Sequence, residues 1–223
     1  MGNFTKALII NLCIIPCFSF AQKSIMDDIT IKGDIRFGGN YWAFVGIHGT
    51  ENVALYTDFT ALHKSGFGIR YMAYDDFSKE EKGRVRFFDA AYTHTFENLS
   101  IYGAFEYISF DNWHDGERIR PYATINYQLK QWNIGTGAIY NYCPHLDKKN
   151  EIMFYTKVGR PLFKELDLNL TVWYDNLYKD NFYGDFCARL QLPKKFYLKC
   201  DVLYRDRKVT PFISIGWQFS TKE

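Results

Sequence analysis

From Ile29 to Phe219 the chain repeats one unit: about ten residues that alternate apolar with polar, then a break. The breaks themselves alternate in length. Lys64-Ser65-Gly66, Glu97-Asn98, Lys130-Gln131, Lys164-Glu165 and Pro193-Lys194-Lys195 are short. Between them fall mostly longer polar breaks, at residues 49–52, 76–83, 111–117, 144–150, 176–181 and 206–208. Successive side chains of a strand point to opposite faces, so each unit is a strand that separates two environments. Leu166 to Asp175 shows it most clearly, with Leu166, Leu168, Leu170, Val172 and Tyr174 against Asp167, Asn169, Thr171, Trp173 and Asp175. The two break series delimit twelve strands, an even number, with both chain ends on the side of the short turns.

Alternation alone leaves open which face meets solvent, since a soluble barrel or sandwich gives the same string read inside out. Three features choose the membrane. Break lengths keep their parity around the whole chain, as up-and-down membrane barrels require. Tyr41, Tyr107, Tyr127, Trp132, Tyr142, Tyr174, Phe196 and Trp217 recur towards strand ends on the apolar face, where interfacial aromatics belong. About ten residues at ~3.3 Å each, tilted by about 45°, cross an apolar band of about 25 Å. The expected fold is therefore all-β, a twelve-stranded antiparallel up-and-down transmembrane barrel spanning residues 22–223. With 223 residues there is no room for a second domain. Beyond residue 21 no run of eighteen apolar residues exists, which excludes a helical span.

Residues 1–21 read as a signal peptide. Lys6 is basic, residues 7–15 are apolar, and Ser19-Phe20-Ala21 supplies small residues for cleavage before Gln22. That start implies secretion, and with the barrel it places the mature chain in the outer membrane of a Gram-negative bacterium, in contact with outer-membrane lipid and lipopolysaccharide. The last strand, Ile213-Ser214-Ile215-Gly216-Trp217-Gln218-Phe219, resembles the C-terminal signal read by the outer-membrane assembly machinery, although Ser220-Thr221-Lys222-Glu223 follow it. A formal net charge of +2 gives no case for nucleic acid as a partner. Of five cysteines, Cys143, Cys187 and Cys200 remain after cleavage; at most one bridge can form, and the sequence leaves the pairing open. No cofactor or metal motif is present, the histidines being dispersed along the chain.

Three stretches strain the pattern. In Arg84–Phe96 a strict count puts Arg84 and Arg86 on the lipid face with Phe88, Ala90 and Tyr92, and shifting the phase would expose Asp89 to lipid at a cost of several kcal/mol. The expectation is that both arginines reach the outer headgroups, with a bulge at Phe87-Phe88. Pro121 lacks a ladder donor, so a bulge or late strand start is expected there. Pro211 is expected to open the final strand.

The polar face carries nine basic residues (Lys32, Arg36, Arg70, Arg118, Arg120, Lys157, Arg189, Lys199, Arg205) and nine acidic ones (Asp34, Asp58, Asp76, Asp89, Glu106, Asp167, Asp175, Asp185, Asp201). Trp42, Tyr56, Tyr74, Tyr102, Tyr122, Tyr155, Trp173 and Tyr183 are interleaved with them, and glycines leave room beside. Two uses follow from such a face. The charges pair into ladders that plug the bore, or they line a narrow wet passage in which aromatics stack on a solute and charged groups hydrogen-bond its edge. The passage would take a neutral or zwitterionic polar solute, since the balanced charge argues against an anionic one. The substrate-contacting residues expected near mid-height are Arg36, Arg70, Asp89, Tyr102, Glu106, Tyr122, Tyr155, Lys157, Trp173 and Arg189.

This combination of about 200 residues, twelve strands and a narrow bore lined by aromatics and mixed ionisable groups resembles the nucleoside-specific channel family Tsx. The resemblance is one of architecture, carries no diagnostic string, and transfers no binding residue; it implies a passive channel with nucleosides as one possible cargo. Porins for acidic oligosaccharides match in size and strand number, but their lumens would be expected to carry excess Arg and Lys. An enzyme is not expected. The nearest lipid-hydrolase candidate is Ser109 with Asn112 and His114, where Ser109 shares the lipid-facing parity of Tyr107 and no nucleophile motif supports it. A closed barrel acting through its loops is the remaining alternative, although the loops are short and plainly charged.

Overall fold

A computed structural model describes residues 28–43, 47–77, 84–111, 117–142, 150–176, 182–205 and 207–222, with backbone alone at 40–43, 47–52, 110 and 111. Twelve strands follow in order: β1 (Ile29–Ala43), β2 (Ile47–His63), β3 (Phe67–Asp76), β4 (Arg84–Phe96), β5 (Leu99–Asp111), β6 (Arg118–Leu129), β7 (Trp132–Tyr142), β8 (Asn150–Phe163), β9 (Leu166–Asp175), β10 (Phe182–Gln191), β11 (Phe196–Arg205) and β12 (Lys208–Ser220). Each pairs antiparallel with the next, and β1 pairs with β12, so the sheet closes with no free edge. Closure satisfies every strand ladder within the protein, which hydrocarbon demands because it offers no hydrogen bonds.

Exposure decides which face looks outward. Phe37, Ile69, Phe105, Phe154, Leu170 and Ile213 are each at least half exposed, while Asp89, Glu106, Arg118, Arg120, Glu151, Asp175 and Asp201 are buried. Leaving even ten such half-exposed apolar side chains in water would forgo about 8–15 kcal/mol, as much as the whole stability of a typical domain. A soluble barrel is thereby excluded, and the inverted wall is what lipid solvent requires. Outward aromatics form two belts: Tyr127, Trp132, Phe196 and Trp217 near the turns, and Tyr107, Tyr142, Tyr174 and Tyr204 near the loops. Arg160 also points outward near the turns, its guanidinium 4.9 Å from the Trp132 ring centre, where the long side chain can reach the headgroups. Tyr41 and Trp42 lie where only backbone is described, and residues 1–21 and Cys143 lie outside the described residues.

Four expectations are corrected. Residues 49–52 are not a loop: Gly49 and Thr50 pair with Tyr41 and Asn40, past a register shift between Gly38 and Asn40 that lets the hairpin continue. There is no bulge at Phe87-Phe88; β4 keeps one register against both neighbours, and Arg84 and Arg86 point outward as the strict count had them. Pro121 neither delays β6 nor shifts its register. It faces lipid opposite Phe105, and the pairing with β7 merely skips from Ile119 to Tyr122. Lastly, β12 opens at Lys208, three residues ahead of Pro211. Cys187 pairs opposite inward Asp201 while Cys200 pairs opposite outward Ala188, so these two thiols point to opposite faces and are free.

Candidate functional site

All ten expected lumen residues point inward, as period-two geometry dictates once the wall is fixed. They do not form one site. Cross-strand register brings Asp58, Arg70, Asp89, Glu106, Arg120 and Tyr122 together on the β2–β6 arc. Asp89 lies directly opposite Arg70 and Glu106, and Glu106 opposite Arg120. Arg70 grips Asp58 with both edges of its fork, Nε to Oδ1 at 2.9 Å and Nη2 to Oδ2 at 2.5 Å, and its Nη1 stands 4.0 Å from Asp89. Arg120 pairs with Glu106, both buried. The Tyr122 hydroxyl donates to Asp89 Oδ2 at 3.0 Å, so Tyr102, whose hydroxyl is 3.0 Å from that of Tyr122, is the donor to Tyr122.

A second group sits on the β6–β9 arc. The Tyr155 and Thr124 hydroxyls are hydrogen-bonded at 2.5 Å, and Tyr155 packs against Trp173, ring centres 4.8 Å apart. Lys157 faces the bore opposite Gly135 and Thr171 and stays exposed. The third group closes the seam between β1 and the last strands. The Arg36 guanidinium covers the Tyr56 ring at 3.8 Å, and that of Arg189 covers Tyr197 at 4.1 Å. Tyr197 donates to Asp34 Oδ1 at 2.5 Å, and Arg189 donates to Gln218 Oε1 at 2.5 Å.

These groups leave the two halves of the lumen unlike. On the turn side a cavity of ≈ 530 Å³ opens, lined by Lys32, Asp34, Asp58, Thr60, Arg70, Tyr102, Gln191, Gln218 and Ser220 among others. Its size falls in the range of ordinary small-molecule sites. It presents guanidinium and ammonium donors, carboxylate and amide acceptors, and one phenol face. On the loop side the inward wall is dense: Ala54, Tyr56, Met72, Tyr74, Val85, Phe87 and Ile108 pack into an apolar cluster, and Tyr183, Leu203 and Phe212 form another with Trp173 against it. Inward register also adds Glu151 and Lys208 to the lumen, one of each sign, so the balance of charge holds among the described residues. Among those residues no three His, Cys, Asp or Glu side chains gather as metal ligands would. Ser109 points outward, and Asn112 and His114 lie outside the described residues.

Sequence reasoning named Asp58 and Arg120 as inward yet left them out of the site; nothing in parity tells that their partners stand at the same height. Tyr197 was missed altogether. Its signal was available in Gly216 directly opposite, since a Cβ at that position would collide with the Tyr197 ring. Gly137 opposite Tyr155 repeats the device.

No protein-family model and no curated protein sequence matches the chain. Solved structures do. A KdgM porin superposes with a TM-score of 0.64 at 11% identity, over 85% of this chain and 99% of that one. A NanC porin gives 0.51 at 11% identity, over 85% and 97%. The Acinetobacter baumannii outer membrane protein Omp33 gives 0.50 at 9% identity, over 86% and 97%. The chain is thus a closed twelve-stranded barrel of the outer-membrane porin type in fold. The likeness runs to KdgM- and NanC-type porins; it does not carry the resemblance to the nucleoside channels.

Proposed function

We propose that the protein is a passive outer-membrane channel for a small neutral or zwitterionic polar solute, nucleosides being one candidate class. The turn-side vestibule carries the reading. It is wide enough for such a solute and lined by both charge signs beside the Tyr102 ring. A zwitterion placed there meets Arg70 and Lys32 with its acidic end and Asp34 with its basic end, while a planar base can stack on Tyr102. Beyond it stand ionisable groups already paired with one another, Arg120 with Glu106 and Tyr122 with Asp89, so a solute would pass by exchanging hydrogen bonds rather than by stripping bare charges. The porin-type fold supports a channel without naming its cargo; one of the superposable structures is a KdgM porin in complex with disordered oligogalacturonate. Secretion by residues 1–21 and insertion by the assembly machinery through β12 belong to the same proposal.

A second reading has its own observation. The apolar cluster around Tyr74, Val85, Phe87 and Ile108 packs the inward wall of the loop half on the β2–β5 arc, which favours a closed structural barrel. Planar-bilayer recording separates the two. Single-channel steps that nucleosides block and oligogalacturonate does not are the expected result. A folded barrel that gives no steps establishes the plug instead, and block by oligogalacturonate alone refutes the neutral-solute version.

A further inference from the structure

Bulk is unevenly shared between the two ends of the bore. Tyr74, Phe87, Ile108, Arg118, Met153 and Tyr183 point inward on the loop half of six different strands, and all six are fully buried. The packing continues around the ring: each of β2 to β12 has at least one buried inward residue in its loop half, from Ala54 on β2 to Phe212 on β12. On β1 the Arg36 guanidinium lies against the Tyr56 ring. A side chain that lines a water-filled pore keeps one face wet. Full burial of bulky inward groups therefore means that protein fills this half, as side chains fill the bore of smaller barrels.

Towards the turns many inward positions are small. Gly68, Ala91 and Ala104 stand in one row, and Gly135, Gly159 and Gly216 recur farther round. Lys32, Asn133 and Lys157 face the bore there and are exposed. The ≈ 530 Å³ cavity belongs to this half, with Lys195 of the β10–β11 turn and Ser220 at the end of β12 in its wall. Barrels of this kind keep their short turns on the periplasmic side. The wide end of the lumen thus faces the periplasm, and the packed end faces outward.

We propose that the vestibule is a solute site open to the periplasm alone, which rests on the reading of the vestibule as the place where the solute binds. A small polar solute enters it from the turn side with no rearrangement of the protein. From outside the cell it arrives only once bulky inward groups, Tyr74 and Phe87 among them, and the buried Arg120–Glu106 pair move apart. Close-packed groups of this kind do not yield gradually; they exchange between discrete arrangements. The protein therefore samples the periplasmic pool of its solute, and outward passage starts from a site already filled.

The test is one-sided thiol labelling of the full barrel in lipid vesicles. A small membrane-impermeant methanethiosulfonate is added outside, with glutathione trapped inside as scavenger, and the two are then exchanged. Thr60→Cys places the thiol in the vestibule wall, at a position lined by the cavity. Ser65→Cys, on the exposed β2–β3 turn, marks barrels whose turn side faces the reagent, and Lys208→Cys marks the loop-side mouth. Heat-modifiable gel migration confirms that each variant is folded, and peptide mass spectrometry reads the adduct at the substituted residue. Labelling of Thr60→Cys is expected to equal that of Ser65→Cys in both arrangements. Labelling that exceeds the Ser65→Cys fraction, or no labelling at residue 60 from either side, overturns the one-sided site. Planar-bilayer recording of the same variant separates the two readings. Single-channel steps with residue 60 labelled from both sides overturn this inference and keep the channel. One-sided labelling without steps keeps the site and overturns the channel.

Discussion

Replacing Arg120 by methionine removes the cation that holds Glu106 while keeping most of the side-chain volume. The Arg120 and Glu106 side chains are 3% and 0% exposed, and the neighbouring Asp89 carboxylate is also fully buried. Asp89 and Glu106 are direct cross-strand partners, so the variant leaves two carboxylates side by side, with Arg70 the next cation, 4.0 Å from Asp89. At a separation of roughly 3 Å and an effective dielectric of about 20, the lost attraction is about 5 kcal/mol gross. Removing one partner of a buried pair costs about 3–5 kcal/mol in practice, so the single variant should lose about that much. Arg120→Met combined with Glu106→Leu should recover a large part of it, because the stranded charge goes with its partner. Urea unfolding of barrels refolded in lipid vesicles, followed by tryptophan fluorescence, gives the cycle. A coupling energy of about 2–3 kcal/mol is expected; losses that add to within about 0.5 kcal/mol would refute the reasoning, since they would mean that the two groups do not depend on each other.

Other outcomes follow from the turns, the rim and the thiols. Gly66 has φ +95°, and a Cβ there would collide with the Thr93 carbonyl oxygen, so Gly66→Ala should cost about 1–3 kcal/mol in the same unfolding assay. Glu97 and Lys130 occupy the left-handed region at φ 46° and 53°, so Glu97→Gly or Lys130→Gly should stabilise the barrel by up to about 1 kcal/mol. Lys64 hydrogen-bonds Asp28 at 2.8 Å and holds its carboxyl below the usual range. A depressed carboxyl contributes stability that is present above its unfolded pKa, about 3.9, and lost as pH falls through the folded value. Carboxyl NMR titration should therefore show Asp28 moving upward in Lys64→Ala. Because Cys187 and Cys200 face opposite sides of the wall, a non-reduced digest should contain no peptide pair joining them, and finding one would reverse the face of β10 or β11.

The number of strands, their ends to within a residue or two over most of the chain, and the inward direction of all ten expected lumen residues were legible in the sequence. The count and ends follow from the breaks, the shared face from the two-residue period of a strand, and its inward direction from the parity of the breaks and the interfacial aromatics. The same local rule settled Arg84 and Arg86, where invoking a bulge at Phe87-Phe88 departed from it needlessly. What the sequence left open was height. Parity told that Asp58, Arg70, Asp89, Glu106 and Arg120 shared the lumen; only the stagger of five paired strands put them in one cluster while leaving Lys157 alone and exposed. It likewise took closure of β1 on β12 to bring Asp34 within reach of Tyr197 across 163 residues of chain. The sequence by itself determined which side chains of each described strand share a face, because that is a property of one strand in its own pleat. The tertiary structure decided which side chains meet, and so where the bore is wide and where it is packed, because that depends on the accumulated register of all twelve strands around a closed ring.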